Sequence, residues 1–316
     1  MNKSNFWKNL PLPFSVLAPM ENVTDFVFRE IVANQLPKPD VLFTEFTNVD
    51  ALSSSGYENT IHRFKFTKSQ HPIVAQIWGT NPDNFKNAAK IAYQLGFDGI
   101  DINMGCPVKA VIKIGACSAL INNQILAKEI IKATKDGSKK LPVSVKTRIG
   151  FNKVQTEEWI TFLLEQKIDA LTIHGRTAKQ MSDVPANWEE ISKAVNIKST
   201  ISPDTIIIGN GDITNQNDIM VKHKKYGVDG VMIGRGIFKN PWIFEKNEKK
   251  HSWEDYKDVL IKHLDLYDQE FLDEHKGNYD ALKKFFKMYI NNFDGSKDLR
   301  TKLMSTKNTD EARNLI

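Results

Sequence analysis

Eight short apolar runs separated by helical stretches constrain this chain more than any other feature. They cover residues 15–20, 41–46, 73–77, 99–103, 143–146, 170–174, 205–210 and 230–234. Each has the length and near-continuous apolar character of a strand buried on both faces, as parallel sheets require. The clearest helix between them spans 84–95, with Phe85, Ala88, Ala89, Ala92 and Leu95 at helical spacing. Pro82-Asp83 opens it and Gly96 closes it, as capping chemistry expects. Thr156-Glu157-Glu158 opens another helix, and 215–223 reads as a third. Strand and helix alternating eight times predict the α/β class and a closed (β/α)₈ TIM barrel. The competing fold, an open doubly wound sheet, would show a glycine-rich dinucleotide turn after its first strand. Ala18-Pro19-Met20-Glu21-Asn22 is not such a turn.

A chain of 316 residues holds one barrel and a small appendage; a barrel alone takes about 250 residues. From Trp253 onward the strand runs stop. Tyr256, Leu260, His263, Leu264 and Tyr267 fall on one helical face, and Leu282, Phe285, Phe286, Tyr289 and Ile290 on another. A lysine-rich linker at 245–251 marks the boundary, so 1–245 is expected to be the barrel and 246–316 a small all-helical domain.

No apolar run approaches the roughly 18 residues of a membrane span, and the first residues lack the pattern of a signal peptide. The two cysteines, Cys106 and Cys117, lie in one loop-helix segment. Their spacing allows a structural disulfide between them, but a chain of this size with no other cysteine does not need one. The expectation is a reduced, cytoplasmic protein, a monomer, with no membrane partner and no metal. The formal charge of +5 is modest, but it is unevenly spread. Residues 283–307 carry seven lysines and arginines against two aspartates, after an acidic stretch. That basic end is either a solvated helix face or a nucleic-acid footprint.

Polar residues close almost every apolar run. Met20 and Glu21 follow the first, Glu45 the second and Gln76 the third; Asn103 and Cys106 follow the fourth. Lys146 and Arg148 end the fifth, His174 and Arg176 the sixth, Asn210-Gly211-Asp212 the seventh, and Gly234-Arg235-Gly236 the eighth. In a barrel all strand C-termini open on one face, where the connecting loops build the active site. Glycines after the seventh and eighth strands let backbone N–H groups turn toward a phosphate, with Arg235 as a charged partner; tight turns without a ligand are the alternative. Lys146 at the barrel mouth suits a ligand that becomes anionic during reaction, such as a flavin taking two electrons. Gln76 either hydrogen-bonds the ring edge of such a cofactor or is a satisfied polar strand end. His174 is either a donor to cofactor or substrate, or a packed core residue.

The stretch Gly99-Ile100-Asp101-Ile102-Asn103-Met104-Gly105-Cys106-Pro107 runs from a buried strand into a glycine-bounded loop. Gly105 permits close backbone approach and Pro107 fixes the φ that follows Cys106. The thiol is either a small buried hydrophobe or a reactive group presented beyond the strand end.

These motifs together resemble the tRNA-dihydrouridine synthase family. The matching pieces are Ala18-Pro19-Met20 with Thr24-Asp25, Asp101 to Pro107, Lys113-Ile114-Gly115-Ala116 and Ser144-Val145-Lys146-Thr147-Arg148. Ile173-His174-Gly175-Arg176-Thr177, Asn210-Gly211-Asp212-Ile213 and Met232-Ile233-Gly234-Arg235-Gly236 complete them in the family's order. The resemblance implies an FMN-containing barrel that uses NADPH to saturate the C5–C6 bond of a uracil base in tRNA. By motif, Pro19, Met20, Gln76, Lys146, His174, Asn210, Gly211, Asp212, Gly234 and Arg235 would hold FMN. Cys106 would be the general acid, Asn103 would position the base, and Arg148 and Arg176 would arrange cofactor and substrate. Beside a tRNA, the basic end becomes a phosphate-contact surface through Lys283, Lys287 and Arg300. A dihydroorotate-dehydrogenase-like flavoprotein and a non-catalytic tRNA-binding protein are the competing functions. Cys117 departs from the family pattern, which usually has glycine there, and places a second thiol near Cys106 as its competitor.

Overall fold

The computed structural model describes residues 5–247, 249–271, 278–291 and 293–316. Nine parallel strands form the wall: β1 (Phe14–Leu17), β2 (Leu42–Phe43), β3 (Thr47–Asn48), β4 (Ile73–Trp78), β5 (Gly99–Met104), β6 (Val143–Arg148), β7 (Ala170–His174), β8 (Ile206–Asn210) and β9 (Gly230–Ile233). Hydrogen-bonded neighbours run β1-β9-β8-β7-β6-β5-β4-β2, with β3 also on β4. The seam between β1 and the second stave is a parallel bridge, Val16 to Val41, held by Leu17 N–H on the Val41 carbonyl at 3.1 Å. The eight staves thus close into the expected barrel.

The second stave is two strands rather than one. The Thr44 hydroxyl accepts the Gln76 N–H at 3.1 Å, taking the place of a main-chain carbonyl in the ladder. The backbone diverges there and rejoins β4 at Thr47. Glu45, released from the ladder, accepts the Asn22 N–H at 2.6 Å.

Strand alternation separates two apolar cores. Ile100, Ile102, Val143, Val145, Leu171, Ile173, Val231 and Ile233 face the surrounding helices. Phe14, Val16, Val41, Phe43, Val74, Ala170 and Ile208 fill the barrel interior, with Trp7 packed against them. The helix Pro82–Leu95 starts where Asn81 accepts the Asp83 N–H and ends at Gly96 with φ 92°. Phe85, Ala88, Ala89 and Ala92 are buried as expected, but Leu95, in the last turn, is 45 % exposed. The helix expected over 215–223 spans Gln216–Tyr226, with a capping box at Asn215 and Asp218, and continues until Gly227 at φ 72°.

The C-terminal helices pack against the barrel helix Phe26–Asn34. Phe28 stacks on Phe285 with ring centroids 4.8 Å apart, and His263 Nδ1 lies 2.9 Å from the Tyr289 hydroxyl. One apolar core therefore runs from the barrel wall into these helices. Among the described residues no single helix is long and apolar enough to cross a membrane.

Candidate active site

Parallel register sets the polar strand-end residues side by side in three rungs. Gln76, Asp101 and Ser144 pair across β4, β5 and β6. One step higher stand Asn103, Lys146 and Thr172, and above them Arg148, His174 and Asn210.

The lowest rung is a buried hydrogen-bond chain. Asp101 accepts from Ser144 Oγ at 2.6 Å and from Gln76 Nε2 at 2.7 Å. Gln76 Oε1 accepts from Asn103 Nδ2 at 3.0 Å, and Asn103 Oδ1 takes the N–H groups of Gly105 and Cys106, each at 3.0 Å. A carboxylate only accepts and a backbone N–H only donates, so both ends dictate which way the two amides point. Burial pushes the Asp101 carboxyl up to about 6, opposed by the bonds from Ser144 and Gln76. The chain ends on the Cys106 backbone and so fixes the loop that carries the thiol.

Above it Lys146 Nζ donates to Asn210 Oδ1 at 3.3 Å, and Asn210 Nδ2 is held by the Met232 carbonyl at 2.8 Å. Burial first, then the Arg148 charge, lowers the Lys146 ammonium to about 8. The neighbouring Thr172 hydroxyl is buried without a hydrogen-bond partner among the described residues.

The top rung is rich in cations. Arg148 Nε donates to the Gly105 carbonyl at 2.8 Å, and its Nη1 to Thr177 and Met181 carbonyls at 2.9 and 2.8 Å. Arg176 grips both Asp212 oxygens at 2.7 Å and lies 3.0 Å from His174 Nε2. Burial and the charges of Lys146, Arg148, Arg176 and Arg235 push His174 down to about 2. The ring is therefore neutral; with Arg176 donating to Nε2, its proton sits on Nδ1.

The mouth encloses a cavity of about 630 Å³, within the usual range for cofactor sites. Its lining includes Pro19, Met20, Lys146, His174, Asn210, Gly211, Asp212, Gly234 and Arg235, together with Arg148 and Arg176. Gly211 has φ 134°, and a Cβ there would stand 2.5 Å from that of Ala186. Gln76 and Asn103 are not part of the lining; they lie in the hydrogen-bond chain with Asp101. Cys106 is half-buried. A hydrogen bond from the Cys117 thiol lowers the Cys106 thiol to about 7; burial opposes this, and the nearby Arg148 and Lys146 charges assist.

Lys283, Lys287 and Arg300 stand apart from this mouth. With Lys284, Thr301 and Met304 they line a second cavity of about 530 Å³ on the C-terminal helices. Lys283 pairs with Asp280 at 2.7 Å, and Arg300 Nη1 donates to the Ile290 carbonyl at 2.9 Å. Lys284 feels the charges of Asp25, Glu45 and Glu21, which place this groove beside the first two βα loops of the barrel. No group of three or more His, Cys, Asp or Glu side chains able to hold a metal occurs among the described residues.

Sequence reasoning passed over Asp101 and Ser144. Both carried a signal: Asp101 and Asn103, like Ser144 and Lys146, are polar residues two apart in otherwise apolar strands, and so share the inner face.

Comparison with known proteins agrees with this geometry. The family model "Dihydrouridine synthase (Dus)" matches residues 16–316. A Bacillus subtilis (strain 168) protein named probable tRNA-dihydrouridine synthase 2 is 47% identical over 99% of this chain and 95% of its own length. A Staphylococcus aureus (strain Mu50) probable tRNA-dihydrouridine synthase is 45% identical over 99% and 95%. The solved structure of morphinone reductase in complex with tetrahydroNAD superposes with a TM-score of 0.53 at 12% identity, over 76% of this chain and 88% of that one, a likeness of fold. Barrel, motif order and full-length similarity together make this chain an enzyme of the dihydrouridine synthase family.

Proposed function

We propose that this enzyme is a cytoplasmic tRNA-dihydrouridine synthase that binds FMN in the barrel mouth, is reduced by NADPH, and saturates the C5–C6 bond of a uridine in tRNA. The observation that carries the reading is the half-buried Cys106 thiol beside a mouth lined by Lys146, Arg148, Arg176 and Arg235. The cavity fits such a cofactor: its volume suffices, its cations suit an anionic phosphate, and Gly211 in its lining leaves no room for a side chain. Reduced flavin, when bound, would supply the hydride for C6.

The remaining work falls to this chain's own side chains. Lys146 sets a buried cation where the cofactor ring would gain negative charge. Arg235 and the glycines at 211 and 234 lie where a phosphate would be held. Asn103, oriented by Gln76 and Asp101, positions the base. Hydride addition leaves enolate-like charge on the uracil, and Cys106 gives its proton to C5. Residues 1–245 would carry this chemistry. Residues 246–316 would hold the tRNA through Lys283, Lys287 and Arg300 while the target base leaves its stack.

The test is anaerobic. The purified flavoprotein is reduced with NADPH, and either unmodified tRNA or orotate is added while flavin absorbance is followed. Rapid reoxidation by tRNA alone is expected. Reoxidation by orotate would assign a small-pyrimidine enzyme, and a protein without flavin would overturn the reading.

A further inference from the structure

The chain's only two cysteines lie on two segments of one loop that are bonded to each other. The Ser118 N–H donates to the Cys106 carbonyl at 3.4 Å, which ties the start of the 3-10 helix Cys117–Asn122 to the Cys106 loop. The two side chains are near enough for the Cys117 thiol to hold the Cys106 thiol below its ordinary value. Cys106 is half-exposed, whereas Cys117 is fully buried. Cys117 also has φ 52°, a left-handed conformation that favours glycine and costs a side-chain-bearing residue about 1–2 kcal/mol. A thiol held there despite that cost, on the segment bonded to the loop of a partly exposed thiol, is placed as a resolving cysteine is placed.

We propose that Cys106 and Cys117 form a peroxide-reactive pair that a hydroperoxide oxidises to a disulfide. The Cys106 thiolate attacks one peroxide oxygen; the O–O bond breaks and the departing hydroxide takes a proton to become water, leaving a sulfenic acid on Cys106. The Cys117 sulfur then attacks the Cys106 sulfur. The S–O bond breaks, hydroxide leaves with the Cys117 proton as a second water, and the S–S bond forms. Two thiols lose two electrons to one hydrogen peroxide. The low thiol pKa and the neighbouring Lys146 and Arg148 charges favour the first step, since the thiolate is the nucleophile. Only the accompanying loss of turnover rests on Cys106 being the proton donor; formation of the disulfide does not.

The experiment treats the reduced holoenzyme with one equivalent of hydrogen peroxide and reads thiol content, intact mass and tRNA reduction in parallel. Both thiols should disappear together, the mass should fall by about 2 Da rather than rise by oxygen additions, and a peptide linking Cys106 to Cys117 should appear. Dithiothreitol should reverse all three. In Cys117→Gly, which suits the positive φ, one equivalent should leave Cys106 as a sulfenic acid about 16 Da heavier, and a second equivalent should carry it to a sulfinic acid that dithiothreitol does not restore. Retention of both thiols in the wild type, or the same oxygenated Cys106 in wild type and Cys117→Gly, would overturn the proposal. A reversible disulfide that leaves tRNA reduction unchanged would support the pair and overturn the role of Cys106 as acid.

Discussion

In the lower half of the barrel Phe14, Val16, Val41, Phe43, Val74, Ala170 and Ile208 point inward and pack with Trp7. In the upper half the same wall points Gln76, Asp101, Asn103, Lys146 and His174 into the same channel. Alternation is identical in both halves, but the energetics are opposite. Each large apolar side chain below contributes about 1.5–3 kcal/mol of burial. Each polar one above loses hydration and recovers it only through partners such as Asp101 with Ser144 and Gln76. Stability is concentrated at the closed end, and the open end can keep groups poised for chemistry at some cost to it.

The comparison can be broken most sharply at Cys106. Cys106→Ala should lower tRNA reduction about 10²- to 10⁴-fold, while flavin content and NADPH oxidation remain; normal product formation would remove this thiol from the mechanism. Below, Phe43→Ala should cost about 3–5 kcal/mol in denaturant unfolding, and the protein that stays folded should retain its turnover per bound flavin. Lys146→Met is the converse. It should cut product formation about 10²-fold with little loss of unfolding stability, because it removes a buried charge. If Lys146→Met unfolds as easily as Phe43→Ala, the division between the two halves is wrong.

A finer test uses pH. A general acid works only while protonated, so with the Cys106 thiol lowered to about 7, product formation should fall as pH rises through that value. Cys117→Gly removes the largest cause of the lowering, so the falling limb should move up toward the ordinary thiol value of about 8.5. An unmoved limb would show that another group titrates. The smallest effect is expected outside the barrel. Lys287→Glu should weaken tRNA affinity several-fold and reduce the salt slope by about one to two, with kcat unchanged. Unaltered affinity and salt slope would remove this lysine from the tRNA surface.

The sequence by itself determined the barrel, its mouth and most of the residues lining it. Those follow from local periodicity and from the rule that parallel strand ends share one face, both of which are linear in the chain. The break at Thr44 escaped it, because a hydroxyl replacing a carbonyl depends on the strand alongside. Leu95 escaped for a similar reason: helical spacing fixes a face, but whether the last turn of that face is covered depends on the rest of the fold, and Leu95 is left exposed. The separation of Lys283, Lys287 and Arg300 from the mouth, and the bond that ties the Cys117 segment to the Cys106 loop, were decided only by tertiary structure. Register between strands and the packing of one loop on another bring distant residues within bonding distance, and no one-dimensional pattern records those distances.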